Sequence, residues 1–228
     1  MKITWLGQAG LLFETDGKKI VIDPYLSDNV KNFEPQNYRR VPVDESFLQI
    51  KPDVLIITHN HLDHLDHETL KYYLTPDCKA VTLTPNGCVQ EIRKTYPNTQ
   101  CNHVHFNPGT EWTEGNVRFR AVKAEHSDPN AIGVIITAEG KNYYVTGDTL
   151  YNKQVLASLP DEEIYAIFLP CNGRGNNMNM ADASRFAKET GAKYAVPFHI
   201  GLFDSFTNDA FDHPNKITPK FFEEILIP

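Results

Sequence analysis

Short runs of β-prone residues separated by turn signals fill the first 25 residues of the chain. They are KITWL, GLLFET and KKIVID, and the Asp16-Gly17 pair between the last two is a strong hairpin signal. A polar, proline-containing segment follows over residues 24–52. A loop of that length in a compact domain is usually functional or mobile. The next run, DVLIIT (53–58), is continuously apolar and predicts a strand buried on both faces.

Extended and helical patterns alternate in the rest of the chain. Further strands are predicted at CKAVTL, VRFRAVKA, AIGVIITAE, KNYYVTG, IYAIFLP and KYAVPFH. The segment TPNGCVQEIRKTY predicts a helix with Thr84 as its N-cap and Pro85 as its first residue. Two more helices are predicted near 150–158 and 180–190, the second ended by Gly191, and one or two at the C-terminus.

These elements form two β-rich blocks, each accompanied by helices. Such an order is typical of an α/β protein whose sheets pack together with helices outside. No internal repeat and no linker divides the chain. We therefore expect one domain over residues 1–228.

Composition and charge narrow the classes of function. The net charge of −7 does not suit a protein that binds a phosphate backbone, so we expect no nucleic acid partner. The four cysteines lack CxxC spacing, which argues against a zinc ribbon and a disulfide framework. No run resembles a signal peptide or reaches membrane-spanning length, so we expect a cytoplasmic protein that binds no membrane. The C-terminal FFEEILIP could pack internally or against a second subunit, which leaves a homo-oligomer open.

The segment ITHNHLDHLDH (57–67) places four histidines and two aspartates in eleven positions. His59, His61, Asp63 and His64 form the pattern H-x-H-x-D-H just past the buried strand. On an extended segment, imidazoles two residues apart point the same way, so one metal ion can take both. The turn that follows can direct Asp63 and His64 at a second metal ion. The alternative interpretation is a solvated polar loop with incidental histidines.

Three further candidate ligands each follow a predicted strand. His126 comes after VRFRAVKA, Asp148 after KNYYVTG, and His199 ends KYAVPFH. Open α/β sheets tend to place ligand-binding groups at strand ends. A single histidine in such a position is more often structural, but three positions together with the cluster predict a pair of metal ions.

On these residues the chain resembles the metallo-β-lactamase superfamily of metal-dependent hydrolases. The superfamily's ligand order is H-x-H-x-D-H, then His, Asp and His, and it falls here on His59, His61, Asp63, His64, His126, Asp148 and His199. A closer likeness is to the branch of the L-ascorbate-6-phosphate lactonases, on ITWLGQAGLLFETDGKKIVIDPYLSD, LPCNGRGNNMNMADA and VPFHIGLFDSF. The chain differs from those lactonases in being shorter and in reading Ile200-Gly201 after His199.

The resemblance implies a four-layer αββα sandwich with the metal site at one edge of its two sheets. It implies that His59, His61 and His126 hold one metal ion, that Asp63, His64 and His199 hold the other, and that Asp148 bridges them. Nitrogen and oxygen ligands without a thiolate suit two divalent ions, with zinc expected first and manganese second. A metal-bound hydroxide would be the nucleophile.

The resemblance also implies roles for individual acidic residues. Asp63 and Asp148 would be catalytic, Asp63 by orienting or shuttling the proton. Asp23 would support the site by buttressing a histidine ligand rather than by binding metal.

The Gly/Asn-rich stretch CNGRGNNMN contains the candidate substrate-binding residues. The Arg174 guanidinium, Asn172 and the backbone amides of the following helix start would favour an anion such as phosphate or carboxylate. The alternative is a tight loop that binds nothing. The 24–52 segment offers Tyr25, Tyr38, Arg39 and Arg40 as further pocket residues, without a choice among them.

We therefore predict a lactonase-like metal-dependent hydrolase of a small anionic ester or lactone, such as a sugar-phosphate lactone. A phosphodiesterase of the same superfamily is the main alternative, and a non-catalytic metal-binding module is an alternative of another class. Elsewhere, Cys171 and the His103–His105 pair are expected to be structural. His213 is expected on the surface, and Asp66 and His67 to cap the next helix or to support the metal site.

Overall fold

Twelve β-strands and four α-helices form in a computed structural model that describes residues 1–228. The strands are β1 (Lys2–Gly7), β2 (Gly10–Thr15), β3 (Lys18–Ile22), β4 (Val54–Ile56), β5 (Val81–Thr84), β6 (Asn102–His105), β7 (Glu111–Glu114), β8 (Val117–Lys123), β9 (Ile132–Ala138), β10 (Lys141–Val145), β11 (Ala166–Pro170) and β12 (Tyr194–Phe198). The helices are α1 (His67–Tyr73), α2 (Asn86–Thr95), α3 (Lys153–Ala157) and α4 (Met180–Glu189). No helix is long and apolar enough to cross a membrane.

The strands form two six-stranded sheets. The order is β1-β2-β3-β4-β5-β6 in the first sheet and β12-β11-β10-β9-β8-β7 in the second. In the first sheet β1 to β3 are antiparallel, and β3 to β6 run parallel because the 24–52 segment, α1 and α2 in turn carry the chain back between strands. The second sheet has the mirrored plan, with β7 to β10 antiparallel and β10 to β12 parallel.

Alternating side chains of the first sheet enter two different cores. In β3, Ile20 and Ile22 join the large apolar cluster between the sheets, whereas Val21 joins a second cluster with Leu70 of α1 and Ile92 of α2. Since successive side chains of a strand point to opposite faces, this division shows that helices cover the outer face of the sheet. The resulting four-layer αββα sandwich confirms the expected fold class.

Aromatic side chains pack the two sheets together at their centre. Phe13 of β2 makes edge contacts with Phe168 of β11 at 5.6 Å and with Tyr143 of β10 at 6.2 Å between ring centroids. All three side chains are at least nine-tenths buried. On the far face of the second sheet, α4 lies against β11 and adds Phe186 to the core. The carboxyl ends of the central strands therefore meet along one edge of a rigid sandwich.

The long segment over residues 24–52 contains two short 3₁₀ helices, Asn29–Asn32 and Glu45–Gln49. It is not free of the core, since Tyr25 is fully buried and Leu26 donates a backbone hydrogen bond to Thr69 Oγ1 of α1. The segment is thus a packed cover over one end of the sandwich.

Three sequence predictions about local structure are wrong. Strand β5 continues through Thr84, so Pro85 in an extended conformation is the N-cap of α2 and the helix begins one residue later than predicted. No helix forms after β12, because Pro214 and Pro219 interrupt the chain and the segment is instead held by isolated bridges to β1 and β12. His213 is only 9% exposed, and its ring accepts a hydrogen bond from the Asn215 backbone.

Candidate metal centre

Four connections at the same edge of the sandwich supply the candidate ligands. The loop after β4 carries His59, His61, Asp63 and His64, and Asp66 ends it as the N-cap of α1. The loops after β8, β10 and β12 supply the other three, which are His126, Asp148 and His199. The structure thus brings all seven predicted ligands together from both sheets.

The ligand atoms fall into three overlapping groups, and within each group they lie within 4.8 Å of one another. The groups are His59, His61 and His126; Asp63, His64 and His199; and His59, His64 and Asp148. The first two match the division between metal ions that the resemblance implies. Asp148 lies between them, in the position of a bridging carboxylate, and ligation itself stays a prediction.

The distances between ring nitrogens of the candidate histidine ligands show whether these residues fit metal ions. His64 Nε2 lies 3.3 Å from His199 Nε2, and His126 Nε2 lies 3.2 Å from His61 Nδ1. The buried His59 Nε2 has no hydrogen-bond partner. Imidazole lone pairs directed at one point, and a buried acceptor left without a donor, are the arrangement that a cation satisfies. The residues present therefore fit a metal pair.

The other ring nitrogens are held by the protein. His59 Nδ1 donates to Thr58 Oγ1 at 3.1 Å, and His126 Nδ1 donates to the Asn176 carbonyl at 3.0 Å. His61 is turned around, with Nε2 lying 3.2 Å from Ser127 Oγ. Such contacts fix the tautomer and the ring orientation before a metal ion arrives.

Asp23 organises the loop after β4 from below. Its buried carboxylate accepts hydrogen bonds from His64 Nδ1 at 2.8 Å, from the Thr58 backbone at 2.7 Å and from Thr58 Oγ1 at 2.5 Å. Because Asp23 holds the Nδ1 proton, His64 Nε2 is left free to face the centre. The structure therefore places Asp23 where the resemblance implies a buttress, behind His64 and outside the three groups of candidate ligands.

The electrostatics of the centre is dominated by buried carboxylates. Burial lowers the pKa of His59 well below its usual range. Burial opposes the charged form of His64 as well, but Asp148 and Asp23 outweigh it and raise the pKa of that ring. Burial would raise the pKa of Asp148, yet His199 and His64 hold it well below the usual range. Negative charge is thus concentrated where a cation would neutralise it.

Backbone strain accompanies the site. Of six non-glycine residues with positive φ, three lie here: Gln8 (48°), Asp23 (43°) and His199 (61°). Gly147, next to Asp148, also has φ of 61°, and a Cβ there would come within 2.6 Å of the Ile132 carbonyl oxygen. Such conformations are retained when surrounding packing enforces them, often at functional sites.

Five of the seven candidate ligands line a polar cavity, and the other two, His59 and His64, are fully buried. Its volume is about 1080 Å³, and only four of its 23 lining residues are hydrophobic. The cavity is also lined by the exposed side chains of Arg40, Arg174 and Phe206, by Phe203, and by the buried Asn172 and Asn177. The chemistry of the walls suits a polar ligand rather than an apolar one.

Comparison with known proteins shows the family. The beta-lactamase superfamily domain matches residues 18–200. A UPF0173 metal-dependent hydrolase from Ligilactobacillus salivarius is 30% identical over 237 residues, covering 100% of this chain and 99% of that protein. The chain belongs to the UPF0173 metal-dependent hydrolases of the beta-lactamase superfamily.

Other relatives of this UPF0173 hydrolase agree in length and fold. A UPF0173 metal-dependent hydrolase from Saccharolobus solfataricus is 26% identical, covering 99% of this chain and 96% of that protein. The crystal structure of an isothiocyanate hydrolase from Delia radicum gut bacteria superimposes with a TM-score of 0.78 at 19% identity, over 100% of this chain and 99% of that one. The metallo-β-lactamase fold and a metal-dependent hydrolase are thereby confirmed, whereas the lactonase branch stays a prediction.

Sequence reasoning missed two amides in the UPF0173 hydrolase that hold the carboxylates of the centre. Gln8 Nε2 donates to Asp63 Oδ2 at 2.9 Å and lies 3.3 Å from His199 Nδ1. Asn177 Nδ2 donates to Asp148 Oδ2 at 2.7 Å. Gln8 comes from the β1–β2 turn, and no local pattern in the sequence links that turn to the histidine cluster.

The two predicted substrate-binding residues, Arg174 and Asn172, differ in how far they are already engaged by the protein. Arg174 lines the cavity, with its guanidinium 5.0 Å from the Phe206 ring centroid. Asn172 lines it too, but its side-chain amide is already engaged by His199 Nδ1 and the Arg174 backbone. The expected contribution of helix amides is wrong, because α4 begins beyond the cavity lining and Asn179 caps it.

Of the four candidates in the 24–52 segment, the structure selects Arg40. Its guanidinium donates to Ser205 Oγ at 2.9 Å, and both residues line the cavity. Arg39 is occupied by the carbonyl oxygens of Tyr25 and Val41, and the Tyr25 ring is fully buried. Tyr38 stacks on Arg40 from outside the lining.

Residues expected to be structural lie apart from the centre. Cys171 is buried, and its thiol donates to the Phe198 carbonyl at 3.7 Å. His103 and His105 on β6 contact Thr82 and Asn86 respectively. His67 pairs with Glu91 on the outer face rather than supporting the metal site.

Proposed function

We propose that this chain hydrolyses a small anionic ester, a lactone in particular, with two divalent metal ions, zinc or manganese. The observation that carries the proposal is a set of three overlapping ligand groups, each with at least one member lining a polar cavity that two guanidiniums also line. Neither Arg174 nor Arg40 forms an ion pair with a carboxylate of the chain. Two unpaired cations in the same cavity favour a substrate that carries negative charge.

The donor set accounts for the choice of metal. Five imidazoles and two carboxylates would hold the pair, and the absence of a thiolate favours zinc or manganese over softer ions. When bound, such a pair lowers the pKa of a water molecule and polarises a carbonyl or phosphoryl oxygen. The histidine rings are already oriented for this task by Thr58, Asp23 and Asn176.

The substrate would be oriented by the arginines that line the cavity. Arg174 would bind the anionic group, since its guanidinium lies over the Phe206 ring and its side chain lines the cavity without an ion pair to the chain. Arg40 reaches the same wall through Ser205, the neighbour of Phe206. An anion held there leaves the scissile bond of a small ester within reach of the candidate ligands that line the same cavity.

Asp63 is the carboxylate suited to handle a proton. Both carboxylates line the cavity, but the Asp63 side chain is 18% exposed, against 5% for Asp148. Gln8 fixes Asp63 Oδ2 and so sets the direction of the other carboxylate oxygen. Asp63 would accept the proton of the attacking water and deliver it to the leaving group.

Metal content per chain tests the proposal directly. Protein purified without a metal-binding tag and without chelator is expected to hold about two equivalents of zinc or manganese by elemental analysis. His61→Ala and Asp148→Ala are each expected to lose at least one equivalent and nearly all hydrolysis. His105→Ala is the matched control, because His105 belongs to an H-x-H pair outside the site and contacts only Asn86. Normal turnover in either site variant would refute the two-metal proposal.

A substrate screen then distinguishes the two hydrolase candidates. Anionic lactones and esters are compared with phosphodiesters of similar size, with neutral analogues beside each. Turnover of anionic lactones or esters supports the proposal. Turnover of phosphodiesters alone would refute the proposed substrate class and support the phosphodiesterase alternative. A metal-loaded protein that hydrolyses none of these bonds would also refute the proposed substrate class.

A further inference from the structure

Two of the four cysteines lie side by side on the surface, away from the metal centre. Cys78 Sγ and Cys101 Sγ are 3.2 Å apart, and both residues are half-buried, so solvent reaches them. The backbone holds the pair in register, because Gln100 N donates to the Cys78 carbonyl at 3.1 Å and Asn102 N donates to the Ala80 carbonyl at 3.0 Å. Sulfur atoms on two hydrogen-bonded neighbouring segments need little movement to form a bond.

The position of the pair in the fold is informative. Cys78 precedes β5 and Cys101 precedes β6, at the amino ends of these parallel strands. The metal-binding loop begins at the carboxyl end of β4, which pairs in parallel with β5. The cysteines therefore lie at the opposite end of the sheet from the metal centre. Between them in the chain lie β5 and α2, and Cys101 leads directly into β6, which is the edge strand.

The other two cysteines provide an internal contrast. Cys88 and Cys171 are buried, and burial raises the pKa of Cys88 well above its usual range and that of Cys171 to about 12. The Cys101 thiol donates to Cys78 Sγ, and this hydrogen bond lowers the pKa of Cys78. Reactivity of a cysteine follows thiolate character and access, and Cys78 has both.

We propose that Cys78 and Cys101 form a reversible, peroxide-sensitive disulfide that fastens the β5–α2–β6 crossover at the end of the sheet remote from the metal centre. The oxidant is a hydroperoxide, with hydrogen peroxide as the simplest member. The bond would hold the edge strand β6 to the sheet under oxidising conditions and would open again with a thiol reductant. It is independent of the proposed hydrolysis.

The reaction balances with one peroxide per disulfide. The Cys78 thiolate attacks one peroxide oxygen, an S–O bond forms, the O–O bond breaks and hydroxide leaves, which gives a sulfenic acid at Cys78. Cys101 sulfur then attacks Cys78 sulfur, the S–S bond forms, the S–O bond breaks and a second hydroxide leaves. The two thiol protons convert both hydroxides to water. Two thiols are oxidised by two electrons in total, and peroxide is reduced.

Peptide mapping of the whole protein tests the proposal. The native chain is treated with hydrogen peroxide, remaining thiols are alkylated, and the digest is analysed by mass spectrometry. The expected product is a linked pair of peptides containing Cys78 and Cys101, about 2 Da lighter than the two reduced peptides together. It should disappear with dithiothreitol. Absence of this linked pair, or oxidation of either residue without the other, would overturn the proposal.

Single variants test the order of the two steps, which are sulfenic acid formation at Cys78 and attack by Cys101. Cys101→Ser should leave a sulfenic acid at Cys78 that a dimedone probe captures, whereas Cys78→Ser should leave Cys101 unmodified at the same peroxide dose. Cys88→Ser is the matched control and should keep the native linkage.

Thermal unfolding tests the fastening role. A bond that closes the loop from Cys78 to Cys101 should raise the Tm of the oxidised native protein by about 7–14 °C. An unchanged Tm with the linkage present would refute the fastening role.

Discussion

Replacing Asp23 by Asn removes one negative charge beneath the metal centre without changing the size of the side chain. Asp23 accepts hydrogen bonds from His64 Nδ1 at 2.8 Å and from both the backbone and the hydroxyl of Thr58. In Asp23→Asn, a side-chain NH₂ group replaces one carboxylate oxygen and faces His64 or Thr58. One of the groups that donate to Asp23 therefore loses its acceptor. The backbone is not the cause of any loss, because Asn tolerates the φ of 43° at this position as well as Asp does.

The magnitude follows from the contacts of the two histidines. Loss of a carboxylate that orients a metal-binding histidine typically weakens metal affinity about 10- to 100-fold, or about 1.4–2.7 kcal/mol. His64 loses its direct partner and belongs to the proposed second site. His59 is affected only through Thr58 Oγ1, which it contacts at 3.1 Å. We therefore expect the site of His64 to weaken by at least tenfold and the site of His59 to weaken less.

Competition with a chromophoric chelator measures both affinities on the folded protein, below the start of its thermal unfolding. Asp53→Asn is the control, since this half-exposed carboxylate accepts a hydrogen bond from the Lys19 backbone on another part of the surface. If Asp23→Asn binds both metal ions with the affinities of the native protein, the buttressing role of Asp23 is refuted. Equal weakening of both sites would refute the assignment of His64 and His59 to different metal ions.

Three further substitutions give distinct signatures. Arg174→Ala should raise KM for an anionic ester about tenfold and change KM for a matched neutral ester less than twofold, as steady-state kinetics can measure. Gln8→Ala should lower kcat about tenfold when measured at saturating metal, because Asp63 loses the donor that orients it. Gly147→Ala should destabilise the metal-free protein by about 2–4 kcal/mol in urea unfolding, since the added Cβ would meet the Ile132 carbonyl oxygen at 2.6 Å.

Each of these substitutions has a control in the same chain. Arg185 pairs with Glu189 outside the cavity, so Arg185→Ala should not discriminate between anionic and neutral esters. Gln100→Ala removes an exposed glutamine and should leave kcat unchanged. Gly140 has φ of 70° but nothing within 4 Å of an added Cβ, so Gly140→Ala should cost only about 1 kcal/mol. Equal costs at Gly147 and Gly140 would show that the packing argument is wrong.

The candidate ligands were predictable because their signals are local. The H-x-H-x-D-H pattern lies within six residues after a continuously apolar run, and the period of a strand is enough to place its first two imidazoles together. His126, Asp148 and His199 each follow an apolar strand, and parallel strands bring their carboxyl ends to one edge. These are properties of sequence and secondary structure alone.

The supporting contacts were not predictable, because they depend on tertiary packing. Gln8 reaches Asp63 only after the β1–β2 turn folds beside the loop that follows β4, and a single glutamine beside two glycines carries no sign of it. The burial of His213 similarly depends on the C-terminal segment running back along β12. The helices predicted for that segment do not form, because Pro214 and Pro219 interrupt the chain there.

Each proposed metal ion takes ligands from both sheets. The loop after β4 belongs to the first sheet, and the loops after β8, β10 and β12 belong to the second. An ion bound in this way would link the two sheets, and so the two halves of the chain. Its binding free energy adds to their association, by about 4 kcal/mol at a free metal concentration a thousand times Kd.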